Sequence, residues 1–233
     1  MTQPSFCNTL PKGKKRYLAT IRLGQSTTTD DREGDILKSH DWSSVSDEKI
    51  RTFLDSQIGT IMQKPSKVSA IKIAGERAYD LVRQGKDVDI PAREVTIYSL
   101  DVLEIKRNEF LDIDIEVSCS AGTYIRSIAR DLGDSLGVGG HLVALRRTEV
   151  APFFEAECQT IDDCEIQPLV TSISKVMPTR SIDLAERNEL SFGRALTKSE
   201  FSGPGIAITP DGEVAAIIEN RDYGAQPLAV FNS

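Results

Sequence analysis

Cys119-Ser120-Ala121-Gly122-Thr123-Tyr124-Ile125-Arg126-Ser127-Ile128-Ala129-Arg130-Asp131-Leu132-Gly133 is the stretch whose reading decides the fold. The run leading into it, Leu111-Asp112-Ile113-Asp114-Ile115-Glu116-Val117-Ser118, alternates apolar and polar residues and predicts a half-buried strand. Behind it, Ile128, Leu132 and Leu136 fall at helical spacing, and Gly137 is placed to end the helix. Gly122 to Arg126 is therefore expected where a strand hands over to a helix. A glycine lets the backbone turn there, and the first turn of a helix favours anions. Tyr124 and Arg126 at such a junction offer a stacking face and a bidentate anion fork. A core tyrosine beside a solvated arginine accounts for the same residue types.

Working outward, Tyr17 to Leu23 alternates as a strand, and Gln25 to Gly34 reads as a turn-rich loop of Thr and Asp. Ser46-Asp47-Glu48 carries an N-cap residue and two acids, which opens a helix. Ile50, Phe53, Leu54, Ile58 and Ile61 recur along it at helical spacing, so one face packs on a sheet, with Trp42 as an anchor. Pro65 to Gly85 predicts a short strand over Val68 to Ile73 and a helix from Arg77 to Arg83. Lys67, Lys72, Arg77 and Arg83 make this segment basic, a pattern that a merely solvated face also produces. Arg93 to Ile105 and Phe110 to Ser118 pair as a hairpin over Lys106 to Glu109. Gly139-Gly140-His141 turns the chain into Leu142 to Arg147, with His141 a structural histidine.

Past Ala151 the character changes. This tail holds 6 basic and 13 acidic residues, against 22 of each before it, so the net charge of −7 belongs to the tail. Residues 1 to 29 carry Lys12, Lys14, Lys15, Arg16 and Arg22 and no acid, a local basic surface compatible with phosphate contacts. Ser172 to Met177 predicts a short helical connector and Asp183 to Arg187 one helical turn. Short strands over Ile206 to Thr209, Val214 to Glu219 and Pro227 to Phe231 fit a small β-barrel or sandwich. Cys7, Cys119, Cys158 and Cys164 show no Cys-x-x-Cys spacing, and with His40 and His141 the only histidines a zinc site is not expected. The absence of a signal-like segment and of an apolar run of about 18 residues predicts a cytoplasmic protein off the membrane.

Four blocks, in this order, resemble the bacterial tRNA pseudouridine-55 synthase family, TruB. They are Lys15-Arg16-Tyr17 with Arg22-Leu23-Gly24 and Thr27-Thr28-Thr29-Asp30-Asp31; Pro65 to Gly85; Cys119 to Gly133; and Gly139 to Val150. The tail from Leu190-Ser191-Phe192-Gly193-Arg194 to Phe231 is similar to the PUA-like domain of actinobacterial members. The resemblance implies an α+β fold, a mixed, largely antiparallel sheet with helices, joined to a small all-β PUA-like domain. Four segments follow: 1–14 outside the family pattern, 15–150 a partial catalytic domain, 151–180 a connector, and 181–233 the RNA-binding domain.

The implied activity is isomerisation of a T-loop uridine of tRNA to pseudouridine by a monomer, without a cofactor. By motif position, Tyr17 contacts the target nucleotide and Tyr124 lies against the uracil, suited to removing the C5 proton. Arg126 holds the reacting carboxylate, Asp31 holds Arg126, and Leu145 closes the base pocket. Lys72 and Arg146 are further RNA contacts, and the tail reaches the acceptor stem. One departure stands out. The family's nucleophilic aspartate belongs to a Gly-Thr-Leu-Asp-Pro-like motif upstream of Lys15, which this chain does not contain. The expectation is a truncated chain that is inactive alone. Its alternatives are a non-catalytic tRNA-binding protein or a poorly folded gene fragment.

Overall fold

The computed structural model describes residues 13–66, 68, 72–73, 76–77, 80 and 90–231. The chain divides into two compact units, residues 12–157 and a second unit that includes residues 158–233.

In the first unit the strands are β1 (Lys15–Leu23), β2 (Gln25–Thr27), β3 (Ile36–Ser39), β4 (Gly59–Gln63), β5 (Lys72–Ile73) and β6 (Glu76–Arg77). They continue with β7 (Arg93–Arg107), β8 (Leu111–Cys119), β9 (Gly140–Val150) and β10 (Phe153–Phe154), and the helices are α1 (Asp47–Ser56) and α2 (Ile125–Leu136). Six strands form one antiparallel sheet in the order β10-β9-β1-β8-β7-β4. The alternation of β8 sorts its side chains by face. Leu111, Ile113, Ile115 and Val117 are fully buried and join Ile21 and Leu23 of β1 beneath Ile50 and Leu54 of α1 and Ile128 and Leu132 of α2. On the opposite face Asp112 takes two hydrogen bonds from Arg22, each 2.8 Å, and Asp114 accepts from Thr20 at 2.6 Å and Lys106 at 2.6 Å. The polar positions of the two strands are thus paired across the ladder.

The strand-to-helix handover forms as the spacing predicts. Gly122 sits at φ +95°, Tyr124 is the N-cap of α2, and Gly137 closes the helix in the left-handed conformation. Three local expectations are corrected. The loop from Gln25 is in part a strand, because Gln25 to Thr27 pair with Ile36 to Ser39 and bury Thr27. Ile58 and Ile61 leave the helix: Gln57 caps α1, Gly59 turns the chain at φ +112°, and Ile61 lies in β4. Arg77 lies in a strand, opposite Lys72, and the rest of the helix expected to Arg83 falls largely outside the described residues.

The second unit holds α3 (Leu169–Ile173), β11 (Thr179–Ser181), α4 (Leu184–Ser191), β12 (Pro204–Ile208), β13 (Val214–Arg221) and β14 (Gly224–Val230). Its strands make one four-stranded sheet in chain order, parallel between β11 and β12 and antiparallel thereafter. The connector helix comes earlier than Ser172 to Met177, and Asp183 opens two helical turns where one was expected. Asp183 and Glu186 form a reciprocal capping box, which extends that helix. Among the described residues no helix is long and apolar enough to cross a membrane.

Candidate active site

Arg126 sits in the first turn of α2, and its guanidinium ties three pieces of chain together. Nη1 donates to Asp31 Oδ2 at 2.9 Å and to the Thr29 carbonyl at 3.1 Å, while Nη2 donates to the Val68 carbonyl at 3.0 Å. Asp31 is itself fixed. Its Oδ1 accepts from Thr29 Oγ1 at 2.5 Å and from the Glu33 amide at 3.1 Å, and its carbonyl accepts from Thr27 Oγ1 at 2.8 Å. The turn that carries it is seated on β9, where the Leu142 amide donates to the Asp30 carbonyl at 3.0 Å. Both partners of the ion pair keep about a quarter of their side-chain surface exposed, so the pair is open to a ligand on one side.

That side is a cleft of about 650 Å³ lined by Asp31, Arg32, Glu33, Arg126 and the β9 run Leu142 to Leu145. Leu145 remains half exposed in its wall. The cleft combines one fixed cation, one fixed carboxylate and an apolar strand edge. Such a site can seat a planar polar group and orient a charged one beside it.

The structure brings Asp31, Arg126 and Leu145 together around one cleft. Tyr124 is two residues before Arg126, half-buried, and pinned through its backbone. Its amide donates to Gln63 Oε1 at 2.8 Å, and Gln63 Nε2 donates back to its carbonyl at 3.1 Å. Tyr17 shares the sheet face of Leu145, packs on the core, and has its phenol pKa raised by burial, with Arg147 opposing the shift. Neither tyrosine is part of the cleft lining. Arg146 is outside the cleft lining, exposed and ion-paired with Glu155, and it lines an adjoining pocket with Leu18 and Leu103 that shares Ala144 and Leu145 with the cleft. Lys72 lies in β5, and its side chain is outside the described residues. His141 is buried with Nδ1 3.1 Å from the Gln25 carbonyl, a structural histidine as expected.

Sequence patterns gave no weight to Gln63, Asp30 and Arg130. Gln63 is 3 % exposed and its amide is spent wholly on the Tyr124 backbone, a contact that no local motif announces. Arg130 had a signal, since it follows Arg126 by one helical turn and shares its face.

Comparison with known families settles the class of this chain. Residues 3–125 match the model described as "TruB family pseudouridylate synthase (N terminal domain)". The chain belongs to the TruB family. The match takes in most of residues 1–14, which by pattern alone stood apart. Residues 126–171 match the "tRNA pseudouridylate synthase B C-terminal domain" and residues 177–232 the "tRNA Pseudouridine synthase II, C terminal" model. The chain is similar to the tRNA pseudouridine synthase B of Corynebacterium efficiens, at 50 % identity over 93 % of this chain and 74 % of the relative. It is 42 % identical to that of Thermobifida fusca, over 94 % and 78 %.

Among solved structures, the fold resembles a chain of an H/ACA RNP bound to a substrate RNA containing 2'-deoxyuridine. The TM-score is 0.62 at 21 % identity, over 97 % of this chain and 68 % of that one. A chain of a Cbf5-Nop10-Gar1 complex gives 0.59 at 23 % identity, over 97 % and 67 %. The α+β architecture expected from the sequence is thereby shown.

Proposed function

We propose that this chain supplies the base-facing half of a tRNA pseudouridine synthase site that acts on a T-loop uridine. The Arg126–Asp31 pair at the mouth of the Leu142 to Leu145 cleft carries the reading. In the reaction the N1–C1′ bond of uridine breaks and a C5–C1′ bond forms; the proton on C5 is lost and N1 gains one. The uracil must leave the loop stack to be reached. The apolar wall with Leu145 receives its face, and Tyr124 at the head of α2 is the group assigned to the C5 proton. Arg126 presents its cation toward the ribose side, where a carboxylate would act on C1′.

The described residues favour binding over turnover by this chain. Asp31 is engaged by Arg126, Thr29 and the Glu33 amide, Asp30 faces Arg130, and both lie in the turn after Thr29 rather than in a Gly-Thr-Leu-Asp-Pro-like motif, so neither is assigned as the attacking group. Among the described residues no other carboxylate is hydrogen-bonded to Arg126. In this reading the chain binds the T-arm as a monomer through this unit, and the second unit contacts the acceptor stem.

The test uses an unmodified tRNA transcript. Binding is followed by gel shift at several salt concentrations, and pseudouridine by mass-resolved nucleoside analysis after carbodiimide labelling. Salt-dependent binding without pseudouridine is expected. Turnover by the 233-residue chain would overturn the assignment of Asp30 and Asp31 as non-reacting groups. Lack of binding would overturn the proposed tRNA function of this chain.

A further inference from the structure

Arg126 does not hold its loop alone. One helical turn on, Arg130 makes a second set of contacts with the same two stretches of chain. Its Nη1 faces Asp30 Oδ2 at 3.4 Å, its Nη2 donates to the Lys64 carbonyl at 2.8 Å, and its Nε donates to Asp131 Oδ1 at 2.8 Å. Arg126 spans Asp31 and Val68, whereas Arg130 spans Asp30 and Lys64. Two adjacent aspartates thus meet two arginines on one face of α2, and the segment from Lys64 to Val68 is tied at both ends. Ser127 Oγ adds a third tie to Lys64 O at 2.9 Å, and Ser66 Oγ donates to Thr29 O at 3.3 Å.

The backbone shows that this arrangement is held rather than relaxed. Asp30 has φ +59°, the one non-glycine residue at positive φ among the described residues. That conformation costs about 1 kcal/mol or more for a residue with a Cβ. An extended chain would send consecutive side chains to opposite sides. At the left-handed residue the chain turns, and both carboxylates reach the helix.

We propose that Arg130, acting through Asp30, is a positioning residue for the Arg126–Asp31 pair. The outer clasp fixes the turn of Thr28 to Gly34 against α2, and so fixes where the Arg126 guanidinium sits in the cleft. This rests on the reading of the cleft as the uridine site only for its functional consequence; the clasp itself is a statement about the folded chain.

The experiment uses the full chain with Arg130→Gln, Asp30→Asn and the double variant. Asparagine tolerates the left-handed conformation, so Asp30→Asn removes the charge and leaves the turn able to form. The first readout is the ¹⁵N spectrum of the arginine side chains, with the Arg126 signal assigned by its loss in Arg126→Gln. A clasped Arg126 gives a distinct guanidinium resonance in the parent, and a shifted, exchange-averaged one in each variant. The second is amide exchange: the Leu142 amide should exchange about tenfold faster in each variant, with Ile113 and Ile115 unchanged. The double variant should do no more than either single one, because the two residues form one device.

An unmoved Arg126 resonance, or additive effects in the double variant, overturns the proposal. The third readout is affinity for the unmodified tRNA transcript, expected to fall about tenfold in Arg130→Gln, with no further loss on adding Arg126→Gln. Independent losses there would show that Arg130 contacts RNA directly, which also overturns the positioning role. If the parent chain binds no tRNA, the functional reading fails while the two spectroscopic readouts still decide the clasp.

Discussion

Gly133→Ala tests the packing that places α2, and its sign is not obvious. Gly133 lies inside a helix, where alanine is favoured over glycine by about 1 kcal/mol. By propensity alone the substitution would stabilise the protein. The structure opposes this. A Cβ on Gly133 would lie 2.0 Å from the Gly140 amide nitrogen and 2.1 Å from the Gly139 carbonyl carbon. Ordinary non-bonded separations are about 3.5 Å, so about 1.5 Å must be made up by moving backbone. No flexible side chain is there to yield. The amides of Val138 and Gly139 also both donate to the Gly133 carbonyl at 3.0 Å, so separating helix from turn strains two further bonds. Overpacking of this kind costs about 3 kcal/mol or somewhat more, which leaves a net loss of about 2 kcal/mol after the helix gain. Trp42 is the only tryptophan and packs against the core of the same unit, so its fluorescence reports that unit's unfolding in urea. At a slope of about 2 kcal/mol per molar, the midpoint should fall by about 1 M. An unchanged or raised midpoint would show that the helix-to-turn contact is loose, and with it the claim that Gly133 sets the approach of α2 to β9.

Three further outcomes are expected. Gln63→Leu should cost about 2 kcal/mol by the same fluorescence assay, because the Tyr124 amide loses the hydrogen-bond acceptor that Gln63 supplies in a partly buried site; a loss under about 0.5 kcal/mol would mean that water replaces the amide. Asp183→Ala should speed amide exchange over Leu184 to Ser191 about fivefold, the equivalent of about 1 kcal/mol for a lost capping box, and unchanged exchange would show the cap to be idle. Asp30 gives a pH test. Burial raises its carboxyl pKa above the ordinary 3.8, against the lowering effects of Ser66, Arg130 and Arg126. Between 3.8 and the raised value the folded chain holds more protons than the unfolded one, so this group's contribution to stability falls as pH rises through that window. The stability of the parent minus that of Asp30→Asn, measured in urea, should therefore decline across the window and flatten above it, and a difference that grows with pH refutes the assignment.

What the sequence disclosed follows from the range of the interactions concerned. The alternation of Leu111 to Val117 and the helical spacing of Ile128, Leu132 and Leu136 report burial one residue at a time, and both elements form where they predict. The C-cap at Gly137 is also local and is read from residue type and offset, whereas the Asp183 and Glu186 capping box, equally local, was not read and the helix was expected one turn too short. Thr27 in β2 and Ile61 in β4 were misplaced because three- and five-residue strands are too short to show a period, and their partners are supplied by distant segments. The site is the extreme case. Arg126 and Asp31 are 95 residues apart, and Arg130 and Asp30 are 100 apart, so no local pattern joins either pair. Family resemblance supplied the first pair.

The second pair could still have been approached from the sequence, by combining two facts that were each visible. Arg126 and Arg130 occupy one face of a predicted helix, and Asp30 and Asp31 are adjacent in a turn-rich loop. What blocks the inference is the assumption of an extended backbone at the aspartates, which would let only one of them face the helix. Asparagine and aspartate are the residues other than glycine that most readily adopt positive φ. An aspartate pair in a Thr-rich turn opposite an i, i+4 arginine pair is thus a pattern with a physical meaning: two carboxylates can serve one helix face if the first takes the left-handed conformation. That links the strain at Asp30 to the geometry at Arg126, because releasing the first conformation withdraws one of the two anchors of the second.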